Sequence, residues 1–126
     1  MADKKAPAGN SAAAPRSNPI TGCPLTAALA AVGGKWKMII IYWLADEPSH
    51  FASLRRKMSS ISQKVLTQQL RELTADAIVH RAPAVRRSDP VVYSLTPYGR
   101  SLMPLIENVR SWGRAHLEHQ ASLGKS

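Results

Sequence analysis

The stretch from Ser60 to Leu73 constrains the fold most, because it has the pattern of a helix with two different faces. Leu66, Leu70 and Leu73 recur at helical spacing, so one face should be anchored in a core. Ser62 precedes them as a candidate N-cap, whose hydroxyl can accept a hydrogen bond from a first-turn N–H. The opposite face carries only hydrogen-bonding or cationic side chains, which can contact base edges in a DNA major groove. With the cap included, the predicted DNA-binding set is Ser62, Gln63, Lys64, Thr67, Gln68 and Arg71.

The residues before this stretch decide between a DNA-binding helix and an ordinary amphipathic surface helix, which is the commoner case for such a pattern alone. Phe51, Leu54 and Met58 are spaced as on a short helix, whose other face carries the basic residues 55–57. Residues 59–61 leave room only for a tight connection. Two short helices joined in this way, the second with a polar face, predict a helix-turn-helix.

Two further helices are predicted upstream. Pro24 suits the first position of a helix, where its missing N–H costs nothing. Residues 35–44 are apolar nearly all round and predict the central core helix, although the β-branched run Ile39–Ile41 would also suit a strand. Gly33 and Gly34, between the two helices, indicate either a turn or a close approach of two helices.

After Asp76 the pattern changes from helical to β-rich. Residues 78–81 and 91–95 have the composition of strands, and the turn-forming, basic segment Pro83–Pro90 separates them. The sequence therefore predicts a hairpin with Arg86 and Arg87 at its tip. A hairpin directly after a recognition helix is the wing of a winged helix, whose arginines can enter a minor groove or pair with phosphate. The alternative is two solvated loop arginines.

The residues after Thr96 predict a long C-terminal helix with one apolar stripe. Thr96 suits the cap, and Pro97 suits the first helical position. Pro104 falls inside the stripe and should bend the helix there. A second copy of the chain is the obvious partner for the stripe, although the helix could instead fold back on its own core. On this stripe, the predicted dimer-interface residues are Leu102, Leu105, Ile106, Val109 and Trp112.

Length and composition define the domain and its fold class. A chain of 126 residues can bury a core as one domain, which we expect to span residues 20–119. Residues 1–19 have almost nothing to bury and are expected to be a disordered tail, and residues 120–126 a flexible C-terminus. The predicted fold class is mainly α with a small β-hairpin, a winged helix-turn-helix.

Charge and cysteine content indicate the partners and the compartment. Seventeen basic and eight acidic residues give a net charge of +9, concentrated between His50 and Arg87, so double-stranded DNA is the expected partner. No apolar run approaches the roughly 18 residues of a membrane helix, and the N-terminus has no signal-peptide core. We therefore expect a cytoplasmic, nucleoid-associated protein that does not enter a membrane. The single cysteine excludes an internal disulfide and a cysteine-based zinc site, and we expect no metal or cofactor.

Two other classes of function compete with a DNA-binding regulator. An enzyme is disfavoured because the sequence offers no obvious acid–base pair of carboxylates, glycine-rich phosphate loop or serine elbow. His116 and His119 lie one helical turn apart and could hold a metal, but no third ligand is near in the sequence. A basic RNA-binding or architectural protein remains the alternative that the net charge permits, although Phe51, Tyr93 and Tyr98 are not arranged as a base-stacking platform.

Several sequence blocks together resemble a known family. Cys23-Pro-Leu, Gly33-Gly-Lys-Trp36, Ile61-Ser-x-Lys-Val-Leu-Thr-x-x-Leu-Arg-Glu-Leu73, Tyr93-Ser-Leu-Thr96 and Leu102-x-Pro104 occur in this order. The series resembles the HxlR-type winged helix-turn-helix regulators of bacteria, relatives of the MarR group, from about Cys23 to Gly113. The resemblance implies a dimeric DNA-binding transcription factor that dimerises through its N- and C-terminal helices. It therefore adds Leu25 and Leu29 of the N-terminal helix to the predicted dimer interface. We expect it to be a repressor that binds an inverted-repeat operator.

The chain departs from this family pattern at the end of the recognition helix and in the wing. Asp76-Ala77-Ile78-Val79 stands where the family usually has Asp-Gly-Leu-Ile, so the glycine that easily adopts a left-handed C-terminal turn is missing. The end of that helix is therefore expected to be shaped differently. Residues 81–90 replace the tyrosine and Pro-Pro common in the family's wing, and Val92 replaces its usual glutamate. These changes are expected to alter the wing contacts and hence the operator preference.

Cys23 is the one residue with a plausible switching chemistry. A thiol at a helix N-terminus is favoured as the thiolate, which reacts with oxidants and electrophiles. Several members of the resembled family with a cysteine at the matching place are thiol-based sensors. The resemblance thus implies an electrophile, an oxidant or a low-molecular-weight thiol as a partner of Cys23. The alternative is a small, buried, unreactive residue.

Overall fold

Six helices and a three-stranded sheet make up residues 22–124, the part of the chain that the computed structural model describes. The elements are α1 (Pro24–Val32), α2 (Lys37–Asp46), β1 (Ser49–His50), α3 (Phe51–Lys57), α4 (Gln63–Ala75), β2 (Val79–Ala82), β3 (Val92–Leu95), α5 (Pro97–Arg100) and α6 (Met103–Gly124). The predicted fold class is confirmed: a mainly helical winged helix-turn-helix, with α3 and α4 as the motif and β2–β3 as the wing. The predicted tail, residues 1–19, lies outside the described residues.

Helix α2 lies at the centre of the core. Ile40, Ile41 and Leu44 are fully buried and pack in one cluster with Leu54 of α3 and Ile106 of α6. Burying each such side chain contributes about 1.5–3 kcal/mol. The free-energy cost of placing a β-branched residue in a helix is smaller, less than about 0.7 kcal/mol relative to alanine. The burial therefore explains why this run is helical, as predicted, rather than a strand.

The two glycines between α1 and α2 form a turn. Gly34 has a φ of +90°, a left-handed conformation that a residue with a side chain rarely adopts. A Cβ on Gly33 would lie 2.3 Å from the carbonyl oxygen of Leu29, so α1 ends against this glycine.

No single helix among residues 22–124 is long and apolar enough to cross a membrane. Helices α1 and α2 meet those criteria of length and composition only when they are taken together, and the pair is bent by 70°.

The sheet contains one strand more than the predicted hairpin. Strands β2 and β3 pair antiparallel, with Val79 opposite Leu95, and β1 pairs antiparallel with the other edge of β3. Strand β1 consists only of Ser49 and His50, and two residues are too few to show a period. It places the start of α3 beside the wing, because α3 begins at the next residue, Phe51.

Helices α5 and α6 replace the single helix predicted after Thr96. Thr96 caps α5 as predicted, with its Oγ1 accepting from the N–H of Gly99 at 2.8 Å. The helix then breaks at residues 101–102, and α6 begins at Met103. Pro104 therefore lies in the first turn of α6, where an N–H has no partner within the helix. The predicted bend at Pro104 inside one continuous helix is wrong, since the break precedes it.

Helix α6 is long and mostly exposed. Its 22 residues span about 33 Å at 1.5 Å per residue. Only Ile106 on this helix is buried, while the guanidinium of Arg110 lies 5.0 Å from the ring centre of Tyr42 in α2. The helix continues to Gly124, past residue 119, where the predicted domain ends.

Candidate nucleic-acid interface

The start of α4 is fixed by its cap and by the turn before it. Ser62 accepts a hydrogen bond from the N–H of Val65 at 3.0 Å, as predicted for an N-cap. Ser60, in the turn, has a φ of 67°. The side chain of Arg55 in α3 donates to the carbonyl oxygen of Ile61 at 3.1 Å. These contacts set the position of α4 relative to α3.

The two faces of α4 have opposite environments, as its pattern predicts. Leu66, Leu70 and Leu73 are at most 1% exposed and belong to the core. The side chains opposite them line one shallow surface depression, which we term the α4 polar face. It comprises Gln63, Lys64, Thr67, Gln68 and Arg71. The structure thus brings these predicted residues together, with exposed Ser62 just before them.

A second surface depression shares Gln63 with the α4 polar face. Its other lining residues are Phe51, Ala52, Arg55 and Arg56 of α3. Both arginines are exposed, although Arg56 also donates to the hydroxyl of Ser53 at 3.3 Å. They were not among the predicted site residues. The signal available in the sequence was the run of basic residues on the polar side of the short helix.

The α4 polar face is also tied to the core through Glu72, which the sequence did not indicate as part of the site. The carboxylate of Glu72 pairs with the ammonium of Lys37 in α2, a residue that is only 6% exposed. It also accepts a hydrogen bond from Nε2 of Gln68 at 2.8 Å. Lys37 and Glu72 are far apart in the sequence, so no local pattern could have found this contact.

The C-terminal end of α4 has the left-handed turn that a glycine would usually provide. Ala77 adopts a φ of 60°. The N–H of Ala77 donates to the carbonyl oxygen of Thr74 at 3.0 Å, and the N–H of Ile78 donates to the carbonyl oxygen of Leu73 at 3.0 Å. These two bonds are those of a Schellman motif. The expected difference in shape is therefore wrong, because alanine adopts the same turn in spite of its Cβ.

The wing carries its two predicted arginines in an ordered turn. The carboxylate of Asp89 accepts from the backbone N–H of Arg86 at 3.0 Å, and the N–H of Asp89 donates to the carbonyl of Arg86 at 2.9 Å. Arg86 and Arg87 are exposed, and the neighbouring Val85 is 92% exposed. The tip of the wing thus presents two cations to solvent, at a distance along the chain from those of α4.

Cys23 is exposed at the N-cap position of α1. The expectation of a buried residue, which belonged to the unreactive alternative, is therefore wrong for the single chain. The pKa of the Cys23 thiol is lowered from its usual value. The largest cause is hydrogen bonding by the side chain of Thr26, and the backbone N–H groups of Thr26 and Leu25 contribute in the same direction, against a partial desolvation that raises the pKa.

Most of the predicted dimer-interface residues are exposed in the single chain. Leu25 is 68% exposed and Trp112 is 67% exposed, although the Trp112 ring also stacks on His116. Leu29, Leu105 and Val109 are exposed as well, and we term these five the α1/α6 apolar residues. Leu102 is half-buried against the core. Ile106 departs from the prediction, because it is 3% exposed and packs in the core of its own chain.

Known transcriptional regulators resemble this chain over most of its length. The HxlR-like helix-turn-helix family matches residues 31–121. The uncharacterized HTH-type transcriptional regulator YybR of Bacillus subtilis (strain 168) is 44% identical over 95 residues, which cover 75% of this chain and 76% of YybR.

Two solved structures extend the comparison. The redox regulator HypR in its reduced form has a TM-score of 0.74 at 41% identity, covering 79% of this chain and 98% of HypR. The reduced form of the transcriptional regulator YodB from B. subtilis has a TM-score of 0.64 at 31% identity, covering 73% of this chain and 91% of YodB. The fold is thus shared with proteins that are described as regulators.

Proposed function

Because the chain belongs to the HxlR-like helix-turn-helix family of transcriptional regulators, we propose that it is a repressor that binds an inverted-repeat operator as a homodimer. The observation that carries this proposal is the division of α4 into a buried leucine face and an exposed polar face. A helix held in this way can enter the major groove with hydrogen-bonding groups foremost. Acting on DNA, the protein would work in the cytoplasm at the nucleoid.

Each side chain of the α4 polar face has a role in this proposal. The amides of Gln63 and Gln68 can pair with adenine, and Lys64 and Arg71 can pair with guanine or with phosphate. Thr67, between them, can contact either type of base edge. Ser62 uses its oxygen as the helix cap, which leaves its O–H free to donate to a phosphate.

Two pairs of arginines extend the interface beyond α4. Arg86 and Arg87 are exposed at the wing tip, where they would contact phosphates or a minor groove. Arg55 and Arg56 line the depression next to the α4 polar face, where the first helix of such a motif crosses the DNA backbone. Where they contact phosphates, these arginines supply affinity that depends on salt but not on sequence.

The α1/α6 apolar residues support a dimer. Large exposed apolar side chains on one chain are typical of a surface that a partner covers. A two-fold dimer uses the same surface on both chains, and its two recognition helices then face two half-sites. The centres of the half-sites should lie about one helical turn apart, roughly 10 bp, or a multiple of that distance.

Cys23 supplies a response to oxidants or electrophiles in this proposal. Its exposure and lowered pKa favour the thiolate, and a relative of similar structure is described as a redox regulator. An electrophile would add to the sulfur. An oxidant that accepts two electrons and two protons would join it in a disulfide with a low-molecular-weight thiol or with Cys23 of the partner subunit. A modification at the start of α1, close in sequence to Leu25, would then shift the two recognition helices relative to their half-sites.

The test compares binding of duplex DNA from the gene's own upstream region with binding of structured RNA of equal length. We expect tight, sequence-selective binding of the duplex only. Gln68→Ala and Arg71→Ala should each cost roughly 1–3 kcal/mol of specific binding and relax the preference at one position. Their thermal unfolding should stay nearly unchanged, because both side chains are exposed.

Matched controls are available on α6. Gln120→Ala and Arg114→Ala remove the same side-chain types from exposed positions far along the chain from α4 and should bind as the wild type does. If Gln68→Ala and Arg71→Ala bind the duplex normally, or if RNA competes equally with the duplex, the proposed function is wrong.

A further inference from the structure

Glu72 joins the core of the protein to the α4 polar face. The ammonium of Lys37 is almost fully enclosed at the start of α2, and it pairs with Oε1 of Glu72. A buried ammonium is costly unless a carboxylate accompanies it. The other carboxylate oxygen, Oε2, accepts the hydrogen bond from Nε2 of Gln68. Helix α2 therefore holds this carboxylate in place, and the carboxylate in turn holds the Gln68 amide.

This contact determines which way the Gln68 amide points. An ionised carboxylate can only accept hydrogen bonds, so the amide must turn its NH2 group, and not its oxygen, toward Glu72. One N–H and Oε1 of the amide then remain available on an exposed side chain. Adenine presents an acceptor at N7 and a donor at N6 in the major groove, and these two free groups match both of them.

We propose that Glu72, anchored by Lys37, is a positioning residue that orients the Gln68 amide for a base edge and so determines the preference at that base pair without contacting DNA. The inference rests on the proposed function, in which Gln68 contacts a base. Lys37 also offsets the negative charge that Glu72 brings toward the phosphates.

Glu72→Gln should reverse the orientation of the Gln68 amide. The buried ammonium of Lys37 needs an acceptor, so the new amide should turn its oxygen toward Lys37 and its NH2 group toward Gln68. Gln68 must then present its own oxygen to that NH2 group. Two N–H donors are left for the base, and this pair no longer matches adenine.

The test measures relative affinity for a duplex that the wild-type protein selects from a random-sequence library, and for each single-base-pair variant of it. Gln68→Ala identifies the base pair at which Gln68 acts, because the preference is lost there alone. Glu72→Gln should reduce the preference at the same base pair at least about fivefold, since one bidentate contact provides roughly 5- to 150-fold discrimination. In the Gln68→Ala background, Glu72→Gln should change the preference no further.

Two additional variants separate positioning from general effects. Glu107→Gln removes an exposed carboxylate that pairs with Arg110 at 3.3 Å on α6, and it should keep the wild-type preference. If Glu72→Gln does not fold because Lys37 has lost its carboxylate, Lys37→Met combined with Glu72→Met removes both charges and every group at position 72 that could hold the Gln68 amide. The same loss is expected from this double variant at the same base pair.

The outcomes distinguish this inference from the proposed function. The inference is overturned if the folded Glu72 variant weakens all duplexes equally, if its effect adds to that of Gln68→Ala, or if it keeps the preference that Gln68→Ala loses. Failure of the proposed function gives a different result, because the wild-type protein would then select no duplex sequence at all.

Discussion

Replacing Ala77 by glycine should stabilise the protein. Ala77 ends α4 with a φ of 60°, and the left-handed region costs a residue with a Cβ about 1–2 kcal/mol. Glycine avoids this cost, but its greater freedom in the unfolded chain offsets about 0.4–1 kcal/mol of the gain. The side chain of Ala77 is exposed, so its removal leaves no cavity. The net increase in the free energy of unfolding should be roughly 0.5–1 kcal/mol.

Thermal unfolding followed by circular dichroism measures this effect, at one protein concentration because the stability of a dimer depends on it. A change of 1 kcal/mol shifts the Tm of a domain of this size by roughly 4–8 °C, so Ala77→Gly should raise Tm by about 2–8 °C. Ala115→Gly is the matched control, since Ala115 is exposed inside α6. There glycine costs about 0.5–1 kcal/mol, and Tm should fall. If Ala77→Gly melts at or below the wild-type temperature while the control behaves as expected, the reasoning from left-handed strain is refuted.

Three further predictions concern the wing, the assembly and the thiol. Arg86→Ala with Arg87→Ala should weaken binding to all duplexes about equally and lower the log–log salt slope by about 0.9 for each phosphate that the variant no longer neutralises. An unchanged slope in a salt titration would mean that both arginines are only solvated. Truncation before Leu102 should give a monomer or an aggregate by size-exclusion chromatography. The truncation removes Ile106 from the core and also most of the α1/α6 apolar residues. A soluble monomer with full DNA binding would contradict the proposed dimer. Because the pKa of Cys23 is lowered, its alkylation by iodoacetamide should reach half its maximal rate at a lower pH than alkylation of free cysteine. In the proposed sensing role, diamide should release DNA from the wild type but not from Cys23→Ser. An equal response of the two proteins to diamide would leave Cys23 without a sensing role.

Local patterns predicted most of the helix-turn-helix. Ser62 as a cap and the leucines of α4 act within one helix, so their spacing contains the information that the fold uses. The same holds for Thr96, whose hydroxyl caps α5 as expected. The side chains of the α4 polar face could be named in advance for this reason, because the residues opposite a buried stripe must face outward.

The features that sequence reasoning missed depend on contacts between distant parts of the chain. Strand β1 exists only because β3 provides a partner for it, and two residues alone have no strand period. The pairing of Lys37 with Glu72 joins separate helices. The apolar stripe continues across the break before α6, so the sequence predicts one long helix that includes Pro104. The break itself could not be predicted, because the spacing of apolar residues does not show where a backbone hydrogen bond is missing.

The pairing of β1 with β3 has a mechanical consequence for the helix-turn-helix. His50, in β1, leads directly into α3, while β2 follows α4 after the turn at Ala77 and pairs with the opposite edge of β3. The two helices and three strands thus form a closed ring, which constrains the angle between α3 and α4 at both ends. In the proposed homodimer, a modification at the start of α1 would therefore act by rotating one whole DNA-binding head against the other. For a dimer whose half-sites have a fixed separation, a few degrees of such rotation displace the two α4 helices in opposite directions, so affinity changes while each head stays intact.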